Sequence, residues 1–172
     1  PDEAYVALDE AMAQRSGKAR AAWTALLADY AKAHPALHAE LASMWKGELP
    51  AGFDAEVPVF PADAKGVATR DAGGKVLNAL GKRIPWLRGG AADLAPATKT
   101  TLTFEGAGVF QAATPEGRNF HFGVREHAMT AILNGMALSG LRPFGSGFLV
   151  FADYARGALR LSALMKLPVA HV

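Results

Sequence analysis

The chain has 172 residues, enough for one domain or one domain with an appendage and too few for two large ones. Apolar residues make up 51% of it, which supplies a core and argues against disorder, while 18 Lys plus Arg against 16 Asp plus Glu leave a charge of only +2. No run of like charges marks a nucleic-acid or acidic-membrane arm, and the absence of cysteine excludes disulfides, thiolate metal sites and a cysteine nucleophile.

In chain order, the first third predicts helices. Ala4, Leu8, Ala11 and Met12 recur at helical spacing behind Asp2, a candidate cap, and Gly17 is the expected stop. A second amphipathic run carries Ala22, Trp23, Leu26, Leu27, Tyr30 and Ala31 and ends at His34-Pro35, because the residue before proline avoids helical geometry. A third helix is expected over 36–45, ending at Gly47. The acidic start at Asp2 and Glu3 is the reverse of a signal peptide, and no apolar run approaches the ~20 residues of a membrane span. Without an initial methionine the chain is expected to be a processed or excised piece.

Residues 48–61 contain Pro50, Gly52, Pro58 and Pro61 with little periodicity, so a domain boundary is expected there. Beyond it, a helix is predicted from about Asp63 to Leu80, weakened by Gly73-Gly74, then an extended piece Trp86–Arg88 running into Gly89-Gly90. A polar stretch from Pro96 to Gly117 precedes a strand over 119–122. The next helix has Met129, Ile132, Leu133 and Met136 as its expected buried face and stops at Gly140. A strand over 141–144 and a helix ending before Pro168 follow, with Leu159, Ala163 and Leu164 as the expected inner face. Val169–Val172 reads as the start of another buried strand, and the natural protein is expected to continue past it. Alternating strands and helices indicate an α/β fold with a parallel sheet.

Three stretches have chemical content. In HFGVREHAM, residues 121–129, Glu126 falls just after a strand and Gly123, where α/β folds present groups to ligands. Spacing alone favours a solvated first-turn carboxylate complementing the helix dipole, so a site role needs more support than position. Enclosure would let it share a proton with a ligand nitrogen; the dipole favours the opposite, charged form. In FLVFADY, Phe148, Phe151 and Tyr154 recur at steps of three and form one broad aromatic face if the segment is helical, either core or the wall of a pocket for a flat heteroaromatic ring. In RGGAADLAP, two glycines and Asp93 form a tight turn, with Asp93 as helix cap or turn former, but no phosphate loop. His121, Glu126 and His127 have the wrong spacing for a zinc-peptidase motif, His34 and His38 flank a proline, and neither Ser139 nor Ser146 sits in a nucleophile-elbow frame, so neither a metal ligand set nor serine-hydrolase chemistry is expected.

Taken together and in order, GGAADLAP (89–96), HFGVREHAM with AILNGMALSG (121–140) and GFLVFADYARGALRLSALMKLPV (147–169) resemble the transketolases. The likeness extends more loosely through ATRDAGGKVLNAL (68–80). It implies a helical N-terminal segment followed by a partial, three-layer, parallel-sheet thiamine diphosphate-binding (pyrimidine) domain. Residues 1–62 would be the tail of the diphosphate-binding domain and the inter-domain linker, and 63–172 the first part of the pyrimidine-binding domain. It implies an enzyme of the pentose phosphate pathway, cytoplasmic and homodimeric, that moves a two-carbon ketol unit from a ketose phosphate to an aldose phosphate through a thiamine diphosphate carbanion, with magnesium or calcium held by ligands outside this chain.

Residue by residue, the resemblance makes Glu126 the acid that hydrogen-bonds N1′ of the aminopyrimidine, promoting the imino tautomer so that the 4′ nitrogen can take the thiazolium C2 proton. Phe148, Phe151 and Tyr154 would surround the pyrimidine, Asp93 with Leu94 would lie near the thiazolium at the subunit interface, and Arg70 would bind the sugar phosphate. Ala97 stands where the family usually has a serine that helps hold that phosphate. No GDG-type metal motif and no following histidine loop are present in the chain, so it is expected to be inactive alone. The alternatives are dihydroxyacetone synthase, deoxyxylulose-phosphate synthase, or a non-catalytic α/β interaction module with Glu126 as a surface cap.

Overall fold

The computed structural model describes residues 2–172; Pro1, at the head of the predicted helical segment, lies outside them. The described chain divides into two compact units, one ending at Lys46 and one from Gly47 to Val172.

The first unit is a pair of helices, α1 (Asp2–Ala33) and α2 (Pro35–Lys46). Gly17, expected to end a helix, lies inside α1. A lone glycine in a solvated helix costs about 1 kcal/mol relative to alanine, and the Ala, Gln, Lys and Arg residues around it favour helix strongly enough to carry the helix through. The break comes at His34, with Pro35 at the first position of α2, where its missing N–H costs nothing. Trp23 and Trp45 meet at 6.2 Å between ring centroids, tilted by 50°.

The second unit is α/β, with a sheet whose strands are all parallel, as expected. Its elements are α3 (Thr69–Arg83), β1 (Leu87–Ala91), a one-turn α4 (Ala95–Thr98), β2 (Asn119–His121), α5 (Glu126–Leu138), β3 (Arg142–Ser146), a 3₁₀ turn at Leu149–Phe151, α6 (Ala152–Leu164) and β4 (Ala170–His171). The strand order is β2-β1-β3-β4. The helix expected from Asp63 starts only at Thr69, because Gly66 at φ 69° interrupts the pattern. Gly74, expected to weaken α3, is needed there: a Cβ would lie 2.4 Å from the Lys99 carbonyl oxygen, so glycine lets α3 approach the segment after α4. Strand β1 runs on through Gly89 and Gly90, where a Cβ on Gly90 would lie 1.8 Å from the Phe120 carbonyl.

Leu133, Phe122, Met129 and Ala92 form a buried cluster, with Phe120, Met136 and Val169 packed on it. The inner face of α5 is Met129, Thr130, Leu133, Asn134 and Ala137; Ile132 is exposed, contrary to expectation. On α6 the buried residues are Ala155, Ala158 and Ser162, while Ala163 and Leu164 lie outside and Leu159 is half-buried. Small residues there let α6 seat closely on α5, and a buried polar clamp joins the two: Ser162 Oγ donates to Asn134 Oδ1, and Asn134 Nδ2 donates to the Ala158 carbonyl at 3.0 Å. Strand β4, expected to be buried, is an exposed edge that pairs with β3. Among the described residues no helix is long and apolar enough to cross a membrane.

Candidate functional site

In a parallel sheet every strand delivers its following loop to the same edge. Between β1 and β3 the connections diverge: the chain leaves β1 toward β2 and leaves β3 toward β4. A crevice opens outside the carboxyl ends of strands that part in this way, and such crevices are where α/β folds hold ligands. The turn after β1 carries Asp93 and Leu94, the loop after β2 leads through Gly123 to Glu126, and the loop after β3 carries Phe148 and Phe151. Sheet topology thus gathers five of the predicted residues, and Tyr154 joins them from the first turn of α6.

Two cavities meet at Glu126. The smaller, of about 230 Å³, is walled by Phe148, Phe151 and Leu159 with Ser146, Thr130 and His171. The larger and more open, of about 740 Å³, is bounded by Asp93, Leu94, Arg125, His127, Phe151 and Tyr154. Glu126 is half-buried rather than enclosed, and among the described residues its carboxylate has neither a hydrogen-bond nor an ion-pair partner. At the first position of α5 it faces the positive end of the helix dipole, worth about 0.3–1 kcal/mol to a charged carboxylate. Gly123, at φ 68°, makes the bend that brings α5 in, and Arg125 Nη1 donates to the Phe122 carbonyl at 3.0 Å across it.

The aromatic residues do not form the single helical face expected of them, because the segment is broken: Phe148 precedes the 3₁₀ turn, Phe151 closes it and Tyr154 belongs to α6. Phe148 and Phe151 stack at 6.3 Å with 22° between planes. They are not core: Phe148 is 44% and Tyr154 69% exposed, a poor exchange for large apolar rings unless something covers them. Asp93 is exposed, and it is the turn former rather than the cap; its φ is 63°, and the N-cap of α4 is Leu94. Arg70 lies apart from this group, exposed in the first turn of α3 and absent from both cavity walls. Ala97 is half-buried in α4.

Sequence reasoning missed Arg125, His127, Ser146 and His171 on these walls. The proximity of Arg125 and His127 to Glu126 was a usable signal; Ser146 and His171 become neighbours only through strand pairing, with Ser146 opposite Ala91 and His171 opposite Gly145. More than a third of the surface of His171 is open, yet the protein around its ring holds its pKa below the ordinary histidine value, since burial disfavours the charged form.

The family described as transketolase, pyrimidine binding domain, matches residues 65–172. The transketolases of Geobacillus stearothermophilus and Bacillus subtilis are each 48% identical over 173 aligned residues, covering 100% of this chain and 25% and 26% of those proteins. Among solved structures, transketolase of Pichia stipitis in complex with sedoheptulose-7-phosphate superposes with a TM-score of 0.87 at 40% identity over 99% of this chain and 26% of that one. Transketolase from Leishmania mexicana gives 0.84 at 41% over 92% and 23%. The chain thus spans about a quarter of the length of the curated relatives it matches.

Proposed function

The chain belongs to the transketolase pyrimidine-binding domain family, and from that membership we propose that it forms one wall of a thiamine diphosphate site in a ketol-transferring enzyme. The observation that carries the reading is Glu126: a carboxylate with no hydrogen-bond or ion-pair partner among the described residues, at a strand-end crevice, shared by two cavities that Phe151 also lines, with Phe148 on the wall of one and Tyr154 on the wall of the other. At about 230 Å³ the smaller cavity is below the ~300–1,000 Å³ usual for drug-sized ligands, which suits a single heteroaromatic ring. Its residues fit an aminopyrimidine: Phe148 and Phe151 would pack on the ring, and Glu126 would accept or hold a proton at a ring nitrogen. Asp93 and Leu94, on the wider cavity, would face the other end of the cofactor.

When bound, thiamine diphosphate supplies a thiazolium carbon that can attack a ketose carbonyl and store the electron pair of the broken carbon–carbon bond. The part played by this chain is to orient the pyrimidine, to keep a proton available at its nitrogen through Glu126, and to shield that edge from water with the Phe148–Phe151 pair. The substrates would be sugar phosphates, as in the complex of the Pichia stipitis relative. The remaining walls, a divalent ion such as magnesium or calcium for the diphosphate, and a second subunit completing the site would come from outside residues 1–172, so this chain alone would be inactive. Residues 1–62 would close the preceding domain and link it to the pyrimidine-binding part, in a cytoplasmic enzyme of sugar-phosphate interconversion.

Calorimetric titration of the complete subunit with thiamine diphosphate and magnesium tests the reading. Phe148→Ala is expected to weaken binding by about two- to tenfold, the range of one aromatic contact. Unchanged affinity would remove the ring from the site. Arg70, exposed on α3 and without an ion-pair partner among the described residues, is proposed as a sugar-phosphate contact, a role guanidinium geometry suits. Arg70→Ala is expected to raise KM for phosphorylated substrates about tenfold while leaving unphosphorylated ones nearly unaffected; equal losses for both would count against a phosphate contact.

A further inference from the structure

At the bottom of the crevice three hydroxyl groups close on one another. Thr98 Oγ1 lies 2.9 Å from Thr100 Oγ1 and 3.0 Å from Ser146 Oγ, and Thr100 Oγ1 lies 2.6 Å from Ser146 Oγ. Thr98 Oγ1 also reaches the Leu94 carbonyl at 3.0 Å. Thr100 and Ser146 are 1% exposed and Thr98 8%, so water does not compete for them. With the Thr98 proton on the Leu94 carbonyl, the Thr100 and Ser146 protons are the two left to serve the three contacts among the hydroxyls. Ser146 also lines the smaller cavity, and its hydroxyl has two partners inside the cluster, Thr98 and Thr100.

What the cluster does is join strands and turn. Ser146 ends β3 opposite Ala91, the end of β1, and its backbone carbonyl accepts from the Ala92 N–H at 3.4 Å. Its side chain reaches Thr98, which holds the Leu94 carbonyl. Asp93, in a left-handed conformation that aspartate adopts at some cost, is thus held on both sides by residues tied to Ser146. Two residues beyond the end of β3, Phe148 begins the aromatic wall.

We infer that Ser146 is a positioning residue, whose hydroxyl, locked with those of Thr98 and Thr100, fixes the Asp93–Leu94 turn against the end of β3 and so sets the width of the crevice for the cofactor. The inference rests on the thiamine diphosphate reading above. Its test uses the complete subunit, with two measurements: calorimetric affinity for thiamine diphosphate with magnesium, and amide hydrogen exchange of the cofactor-free protein.

Ser146→Ala and Thr98→Val each remove a hydroxyl. Each is expected to weaken cofactor binding about tenfold and to speed exchange at Ala97 and Thr98, whose N–H groups donate to Leu94 O, without speeding it at Leu133 in the core. Thr98→Ser restores the hydroxyl without the methyl group and is expected to bind as wild type does. Wild-type affinity in Ser146→Ala, or Thr98→Ser as weak as Thr98→Val, would overturn the positioning role, as would faster exchange throughout the sheet. A wild-type subunit that fails to bind thiamine diphosphate at all would instead defeat the functional reading on which the inference stands.

Discussion

Glu126→Ala in the complete subunit is expected to slow exchange of the thiamine C2 proton, and turnover with it, by about 10²–10⁴-fold, the usual worth of a positioned acid–base group. The fold should barely notice. The carboxylate is half-buried and has no hydrogen-bond or ion-pair partner among the described residues, so its removal forfeits only the helix-dipole term, under about 1 kcal/mol. Glu126→Gln sharpens the result, because the amide keeps the shape and can still hydrogen-bond a ring nitrogen but cannot hand over a proton. Equal losses in the two variants, with thermal unfolding unchanged, would assign the effect to proton transfer. Full exchange rates in Glu126→Gln would remove proton transfer from the role of this residue, and full rates in Glu126→Ala would remove the residue from the chemistry.

That Glu126 was visible from sequence follows from its being local. The end of a strand, a glycine at the bend and an acid on the first helical turn fall within the six residues 121–126, and nothing distant is needed to bring them together. The aromatic triple was visible for the same reason, although a periodicity rule that assumes one helix misdescribed its shape, since the backbone passes from loop to 3₁₀ turn to α-helix within seven residues. Features that depend on pairing were not legible. Ser146 acquires meaning only opposite Ala91 and beside Thr98, 48 residues earlier. Apolar size is a poor guide to the inner face of α6. Where two helices close tightly it is Ala155, Ala158 and Ser162 that fit between them, and the larger Leu164 is left outside. Gly17 and Gly74 err in opposite directions: the first was expected to stop a helix it merely weakens, and the second was counted as a weakness although the neighbouring backbone leaves no room for a Cβ.

The largest loss of stability is expected at a residue with no chemical part in the site. Arg118→Met should destabilise the unit from Gly47 to Val172 by about 3–5 kcal/mol, measured by denaturant unfolding. Arg118 is buried, with its guanidinium donating to the carbonyls of Gly81, Ile84 and Leu87 at 2.7–3.0 Å and lying 5.0 Å from the centre of the Phe104 ring. Gly81 and Ile84 belong to the carboxyl end of α3, where helical carbonyls lack intrahelical donors and the dipole is negative, and Leu87 opens β1. One side chain therefore closes α3 and fastens it to the central strand that leads to Asp93. Burial, and after it the nearby Arg88, lowers the Arg118 pKa to about 10, so the group stays charged at neutral pH and its bonds are charge-assisted. Methionine fills much of the space but takes a charged donor from three carbonyls, of which that of Ile84 keeps the Leu87 N–H, which is why the loss should exceed that of an ordinary core substitution. Arg118→Lys should recover only part of it, since an ammonium cannot span carbonyls that a planar fork reaches together. A loss below about 1 kcal/mol in Arg118→Met would mean that water replaces the guanidinium without penalty, and that α3 is held to the sheet by its apolar face alone.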